Sequence, residues 1–447
     1  MKILQWLKPG IKLKRWVAMG SMGILFIVFA AVEFFNRNNI NKFYMFFYIF
    51  LIVAGIFTLY ISITQGLKST IVLMNKGYLN MSIDSSKLEN LIYEKRLLVK
   101  GPKIVAIGGG TGLSTMLRGL KYYTSNITAI VTVGDDGGGS GTLREELGML
   151  PPGDIRNCIL ALADTEPLME ELLQYRFKEG NLKNQSFGNL FLAAMNGVSE
   201  NFEEAVKKMS SVLAVVGRVL PVTTDDMILK AELENGNIVE GESNIPREAI
   251  KQRSKIESIF IEPDEATALK EAVEAIKEAD AVILGPGSLY TSVIPNLLVK
   301  EISKTLKESK AIKIYVCNIM TQEGETDNYE VADHIKAIFE HAGSGVIDYV
   351  ATNTQEINKA IKDRYLEKNA KPVLINEKNI IDLNVKVIEG DFITVRNGLV
   401  RHDPDKLARF LMEIIMDKKL LFDRKKIIEY FYLSRRLKEN KKVRGRE

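Results

Sequence analysis

Two glycine clusters, each directly behind a strongly apolar run, mark the residues best equipped for chemistry. In "AIGGGTGLSTMLRGL" (106–120), the glycines let backbone N–H groups of the turn approach an anion with no Cβ in the way. A helix beginning there adds a favourable dipole. That chemistry is phosphate binding; a merely tight strand-to-helix turn is the competing reading. No lysine follows Gly112, as a Walker loop requires, and Leu113 stands where the third glycine of GxGxxG belongs.

The second cluster is "VTVGDDGGGSG" (131–141), with Asp135 and Asp136 side by side at the end of the next apolar run. Two carboxylates in that place suit Mg2+ held between protein and a diphosphate, or a hydrogen bond to a ribose hydroxyl. Helix capping accounts for one such aspartate and poorly for two followed by three glycines. Further polar groups punctuate element starts: Asp154, Arg156 and Asn157 in "PPGDIRN", Ser186 and Asn189 in "QSFGNLF", and Ser288, Tyr290 and Thr291 in "GPGSLYTSVIPN". The last follows the run "AVIL" and is a second candidate phosphate or substrate loop. Little here resembles a Ser-His-Asp or Cys-His nucleophile system.

The elements that must position these residues alternate. "KIVAIG", "ITAIVTVG", "ADAVILG", "IKIYVCN" and "VIDYVATN" read as buried strands ending in a turn residue, with amphipathic stretches such as "DEATALKEAVEAIKEA" and "NYEVADHIKAIFEHAG" between them. The pattern implies an α/β fold: a Rossmann-like, doubly wound, largely parallel sheet, with ligands outside the carboxyl ends of the strands. "MILKAELENGNIVEGES" reads as one antiparallel excursion about an Asn235-Gly236 turn.

Two apolar runs precede this region, at 16–32 and 43–64, and the second holds 22 residues without a charge. At about 1.5 Å per residue it can cross a bilayer core of about 30 Å. Lys2, Lys8, Lys12, Lys14 and Arg15 precede the first run, against only Arg37 and Lys42 between the two. The bias predicts a two-helix transmembrane hairpin with both ends cytoplasmic; a buried helical hairpin of a soluble protein is the alternative. The organisation expected is therefore an anchor at 1–65, a linker at 66–100, a cytoplasmic domain at 101–417 and a basic tail at 418–447. That tail holds 12 Lys and Arg against four Asp and Glu, so the net charge of +4 hides an acidic remainder. A solvated terminal helix and attraction to anionic lipid both fit it. A basic excess confined to the termini argues against nucleic acid as a partner. Two cysteines and three histidines in 447 residues leave no thiolate zinc site or disulfide framework, so a metal here would be a hard cation.

"AIGGGTGLSTMLRGLK", "VTVGDDGGGSGTLREELGMLPPGDIRNCILALAD", "SFGNLFLAAM", "GPGSLYTSVIPNLLV" and "VCNIMTQEGETDNY" closely resemble the YvcK family, the gluconeogenesis factors of the CofD-like superfamily. The resemblance runs over roughly residues 103–416. It implies a UDP-sugar ligand, notably UDP-N-acetylglucosamine. It also implies a regulatory part in cell-wall precursor supply and cell shape during growth on gluconeogenic carbon sources, exerted through a protein partner. By motif, Gly109, Gly110, Thr111 and Gly112 would face the phosphates, while Tyr365 in "DRYLEKNAKPV" and Arg401 in "LVRHDP" would contact the nucleotide-sugar. Some members carry a phosphorylatable Thr after "RHD", where this chain has Pro404. The related CofD enzymes transfer a phospholactyl group from a nucleotide-linked donor with Mg2+, bound by an acidic cluster resembling "GDD". That is the competing reading: a transferase with Asp135 and Asp136 as metal ligands. The ligand-site expectation adds Asn189 and Ser288 to these residues, and homo-oligomerisation stays open. Arg401 should stand just before a helix capped by Asp403 or its neighbour.

Overall fold

The computed structural model describes residues 13–36, 41–77, 98–99, 101–164, 167–396 and 398–422. The chain divides into two compact units, Met1–Lys95 and Arg96–Glu447.

The first unit is built on two packed helices, Leu13–Asn36 and Lys42–Gly77. The Ser62 hydroxyl donates to the Trp16 carbonyl across their crossing. Trp16–Asn36 and Lys42–Gln65 are long and apolar enough to cross a membrane. Only 17% of each most apolar window is buried, and Leu25, Phe29, Phe46 and Phe50 turn outward. The second helix runs on past 65 into the stretch expected as linker. The basic residues Lys2, Lys8, Lys12 and Arg37, most of the linker and the basic tail beyond 422 lie outside the described residues.

In the second unit the strands are, in chain order, β1 (Ile104–Gly108), β2 (Ile127–Val131), β3 (Arg218–Pro221), β4 (Ile228–Leu233), β5 (Ile238–Glu240), β6 (Ile256–Glu262), β7 (Ala281–Leu284), β8 (Ile312–Val316), β9 (Tyr349–Asn353), β10 (Lys386–Gly390), β11 (Ile393–Arg396) and β12 (Leu399–His402). Seven form one sheet in the order β10-β9-β8-β7-β1-β2-β3, every pair parallel. β1, β2 and β7 are apolar and buried along their whole length, as strands covered on both faces must be. The chain winds outward from β1 through β2 to β3, then returns to β7 and winds the other way. The direction therefore reverses between β1 and β7, which pair directly with Ile107 opposite Leu284. That boundary is the topological switch point of a doubly wound sheet.

The expected antiparallel excursion is present: β4 pairs with β5 across the Asn235-Gly236 turn, and β6 adds to the other side of β4. β3 and β10 went unread because both lie at the edges of the sheet; one is four residues ending in Pro221, the other only half-buried. The β11–β12 hairpin rests on a small core of its own: Ile319, Met320, Ile357, Ile393 and Val400, with Ile361 and Tyr365 packed against it. Helix Pro404–Phe422 follows β12 and crosses helix Gly110–Leu120 at Gly119, where a Cβ would stand 1.9 Å from the Pro404 carbonyl oxygen. That close crossing carries β12 to the mouth of the switch point. Asp403 caps the helix as expected, its Oδ1 accepting the N–H groups of Asp405 (3.0 Å) and Lys406 (2.9 Å).

Candidate functional site

Both glycine loops of the switch point open into one cleft of about 300 Å3. β1 delivers the first loop, whose Gly110, Thr111 and Gly112 line the cleft at the start of helix Gly110–Leu120. β7 delivers the second, Pro286, Gly287 and Ser288, just before the helical segment Leu289–Leu298. Two bonds lock these loops together: the Gly285 N–H donates to the Ile107 carbonyl (2.8 Å), and Asn296 Nδ2 to the Gly108 carbonyl (3.2 Å). A Cβ on Gly112 would stand 2.5 Å from the Pro286 carbonyl oxygen, so the loops meet only because residue 112 has none. Two helix starts with clustered N–H groups at one point form a favourable place for an anion.

The opposite wall comes from β12 and helix Lys359–Leu366, with Tyr365, Val400, Arg401 and His402 lining the cleft. The Tyr365 hydroxyl accepts the Val400 N–H at 2.9 Å, which ties that helix to the hairpin. Arg401 is exposed and pairs with no described carboxylate; among the described residues its guanidinium donates to the Val400 carbonyl, at 3.5 Å. His402 is buried, its ring stacked on Phe392 with centroids 5.8 Å apart. Burial, joined by Arg401, holds its pKa down to about 4 against a hydrogen bond to the Cys317 backbone, so the ring is neutral at physiological pH. The loop after β8 closes the floor with Asn318, Thr321 and Gln322.

Of the residues singled out in the sequence, the cleft thus gathers Gly110, Thr111, Gly112, Ser288, Tyr365 and Arg401. Gly109 is buried beneath the loop. Asn189 stands elsewhere, in the first turn of helix Phe187–Gly197, where its N–H donates to the Ser186 hydroxyl (3.2 Å).

Asp135 and Asp136 belong to an acidic group beside the first loop, and their side chains part. Asp136 Oδ1 accepts the Ser243 N–H (2.9 Å), so that carboxylate ties down the turn after β5. Asp135 Oδ1 accepts the Gly137 N–H (2.9 Å), and its charge is felt by Asp154 and Glu242. Asp154 Oδ2 accepts the Gly110 N–H at 2.6 Å. Burial, then Asp135, raises Asp154 to about 6, while the Gly110 bond and Arg156 pull it back. Burial among Asp135, Asp154, Asp136 and Glu325 pushes Glu242 far above the usual carboxylate range. Carboxylate oxygens of this kind suit Mg2+. Among the described residues no group of three or more His, Cys, Asp or Glu is arranged to hold a metal. An ion at Asp135 and Asp154 would therefore need ligand phosphate oxygens to complete its shell.

Sequence reading missed two acids here. Glu242 lies in the return of a hairpin read only for its turn. Glu325 lies in "TQEGET", part of a longer stretch that carries the resemblance, with no role attached to the residue. The Ser288 hydroxyl donates to Glu325 Oε2. Burial raises Glu325 to about 7, with the bonds from the Ser288 hydroxyl and the Tyr290 N–H acting against it and Asp327 adding to it.

Residues 104–393 match the family described as 2-phospho-L-lactate transferase CofD. A relative from Clostridium acetobutylicum is 68% identical over 444 residues, 99% of this chain and 98% of its own. The gluconeogenesis factor of Bacillus subtilis is 47% identical over 317 residues, 71% of this chain and 99% of its own. A crystal structure of a UPF0052 family member from Bacillus halodurans has 45% sequence identity and a TM-score of 0.67, covering 71% of this chain and 99% of that one. The match with the Clostridium relative takes in the N-terminal helices; the two Bacillus chains are filled by the shorter match.

Proposed function

The chain belongs to the gluconeogenesis-factor branch of the CofD-like family, and from that membership we propose that it is a regulatory protein binding UDP-N-acetylglucosamine in the switch-point cleft. One observation carries the reading: two loops rich in backbone N–H groups, a guanidinium with no described carboxylate partner (Arg401) and an aromatic ring (Tyr365) line a single cleft. Each answers one part of a nucleotide-sugar. Clustered N–H groups and Arg401 suit a diphosphate, the Tyr365 ring offers a face for the base, and the side chains of Asn318, Thr321 and Gln322 suit sugar hydroxyls.

Occupancy of the cleft would report precursor level to a protein partner in cell-wall synthesis. The two apolar helices would hold the CofD-like unit at the cytoplasmic face of the membrane. The test is a thermal-shift comparison of the full-length chain with UDP-N-acetylglucosamine, GTP and NAD, with and without Mg2+. A ligand that binds only the folded state must raise the melting temperature. A shift with UDP-N-acetylglucosamine alone is the expected result, and no shift with it overturns the reading.

The acidic group supports a second reading, a Mg2+-dependent transferase. Asp135 and Asp154 would hold the ion, which supplies charge neutralisation at a diphosphate. Sustained Mg2+-dependent release of a nucleotide from a defined donor and acceptor, lost in Asp135→Asn, would establish this reading over the first.

A further inference from the structure

Ser288 faces the cleft with its only proton committed elsewhere. Its hydroxyl donates to Glu325 Oε2, so towards the cleft it presents lone pairs. The phosphate oxygens of a diphosphate diester are acceptors only. An acceptor meeting lone pairs is repelled, and a carboxylate close behind adds charge of the same sign. Glu325 cannot swing away to relieve this. It is 7% exposed and set in a loop tied to itself: the Gln322 carbonyl accepts the N–H groups of Glu325 (3.1 Å) and Thr326 (2.9 Å), Thr326 Oγ1 accepts the Gln322 N–H (2.9 Å), and Asp327 accepts the Gly324 N–H (2.8 Å). The arrangement becomes favourable in one way. A proton on Glu325 lets it donate to Ser288 Oγ, and the hydroxyl then turns its own proton to the ligand.

We propose that Glu325 is a positioning residue of the cleft, and that a diphosphate ligand is bound together with one proton taken from solvent onto Glu325. This deepens the UDP-sugar reading and rests on it. The groups facing Glu325 are the Ser288 hydroxyl and the Tyr290 N–H from the loop after β7, Asp327 on its own loop, and Glu242 from the turn after β5. No cation is among these described groups, so none of them offsets the carboxylate charge. With Glu325 raised to about 7, the cleft is divided near neutral pH between a form that repels phosphate and one that accepts it. Apparent affinity scales with the accepting fraction. It falls as pH rises through that value.

The test is calorimetric titration of the full-length chain, in detergent, with UDP-N-acetylglucosamine, whose diphosphate diester does not titrate near neutrality. Titrations between pH 6 and 8 in two buffers of unlike ionisation heat count the protons. Uptake of about half a proton at pH 7, approaching one at pH 8, is expected, with affinity about tenfold weaker at pH 8 than at pH 6. Glu325→Gln, whose amide donates permanently, should bind without proton uptake and with no pH dependence. Ser288→Ala should bind more weakly at pH 6 and also lose the uptake, so an unstable Gln variant does not leave the question open. Asp154 and Glu242 are the other acids of raised proton affinity in the group beside the cleft, and uptake persisting in Glu325→Gln would give the proton to one of them and overturn the proposal. Binding with no proton uptake overturns it too and leaves the UDP-sugar reading standing. Absence of binding at every pH removes both.

Discussion

The Gly110 N–H donates to Asp154 Oδ2 at 2.6 Å, so the first donor of the phosphate-type loop is satisfied by a carboxylate of the protein itself. A ligand diphosphate entering the cleft meets that charge at close quarters. Either a cation offsets it or the two anions compete.

Asp154→Ala separates these effects. Without Mg2+ the variant should bind UDP-N-acetylglucosamine at least about threefold more tightly, because a like charge beside the diphosphate is gone. Any strengthening of binding by Mg2+ should be lost. Losing the acceptor at the helix start should cost about 1 kcal/mol of stability. Calorimetric titration in chelator and in Mg2+ measures both affinities; weaker binding in chelator would mean that the carboxylate shapes the loop and does not compete.

Arg401 provides the cleanest test of the cleft. It is exposed and pairs with no described carboxylate, so Arg401→Ala should leave the melting temperature of the unliganded chain nearly unchanged. Its affinity for UDP-N-acetylglucosamine should fall at least about tenfold, or about 1.4 kcal/mol. Tyr365→Ala is less clean, because the ring packs on the small core under the hairpin and the hydroxyl holds the Val400 N–H. Tyr365→Phe should keep ring-dependent affinity while lowering stability by about 1 kcal/mol. Unchanged affinity in Arg401→Ala would remove that residue from the site.

His402 makes the CofD-like unit acid-sensitive. Its pKa lies near 4 when folded and near 6.5 when unfolded, so between these values the unfolded chain binds the extra proton. Stability from this group is therefore complete above about pH 6.5 and declines by about 3 kcal/mol as pH falls to 4. Thermal melts of wild type and His402→Gln across that range should converge as pH drops. The comparison must be made between variants, since Asp154 and Glu325 are raised and act in the opposite sense. Parallel curves would mean that His402 is protonated without cost.

The two apolar helices should bring the full-length chain into the membrane fraction, resistant to alkaline extraction and released by detergent. A chain starting near Gly101 should remain in the soluble fraction. Full-length protein that stays soluble without detergent would make the hairpin a packed element of a soluble protein.

Local pattern was enough to place the elements and the loops. An apolar run ending in glycine or a polar turn, followed by an amphipathic stretch, identifies a covered strand and its crossover helix with no knowledge of the rest of the chain. β1, β2, β7, β8 and β9, the Asn235-Gly236 hairpin and the Asp403 cap were legible for that reason. So were the two helices of membrane length, where composition alone decides. Relationships between distant segments were not. That Gly112 lies against Pro286 follows from β1 pairing with β7, and that Arg401 faces them follows from a helix crossing at Gly119. Asp135 and Asp136 are neighbours in sequence, yet one is set beside Asp154 and the other on the Ser243 N–H, partners that come from distant segments of the chain. Asp154 was legible as a polar residue at an element start, but its bond to Gly110, and Glu242 and Glu325 altogether, became visible only in the folded chain. Burial and a partner from another segment give a carboxyl its altered proton affinity, and no single stretch of sequence contains both halves of such a pair.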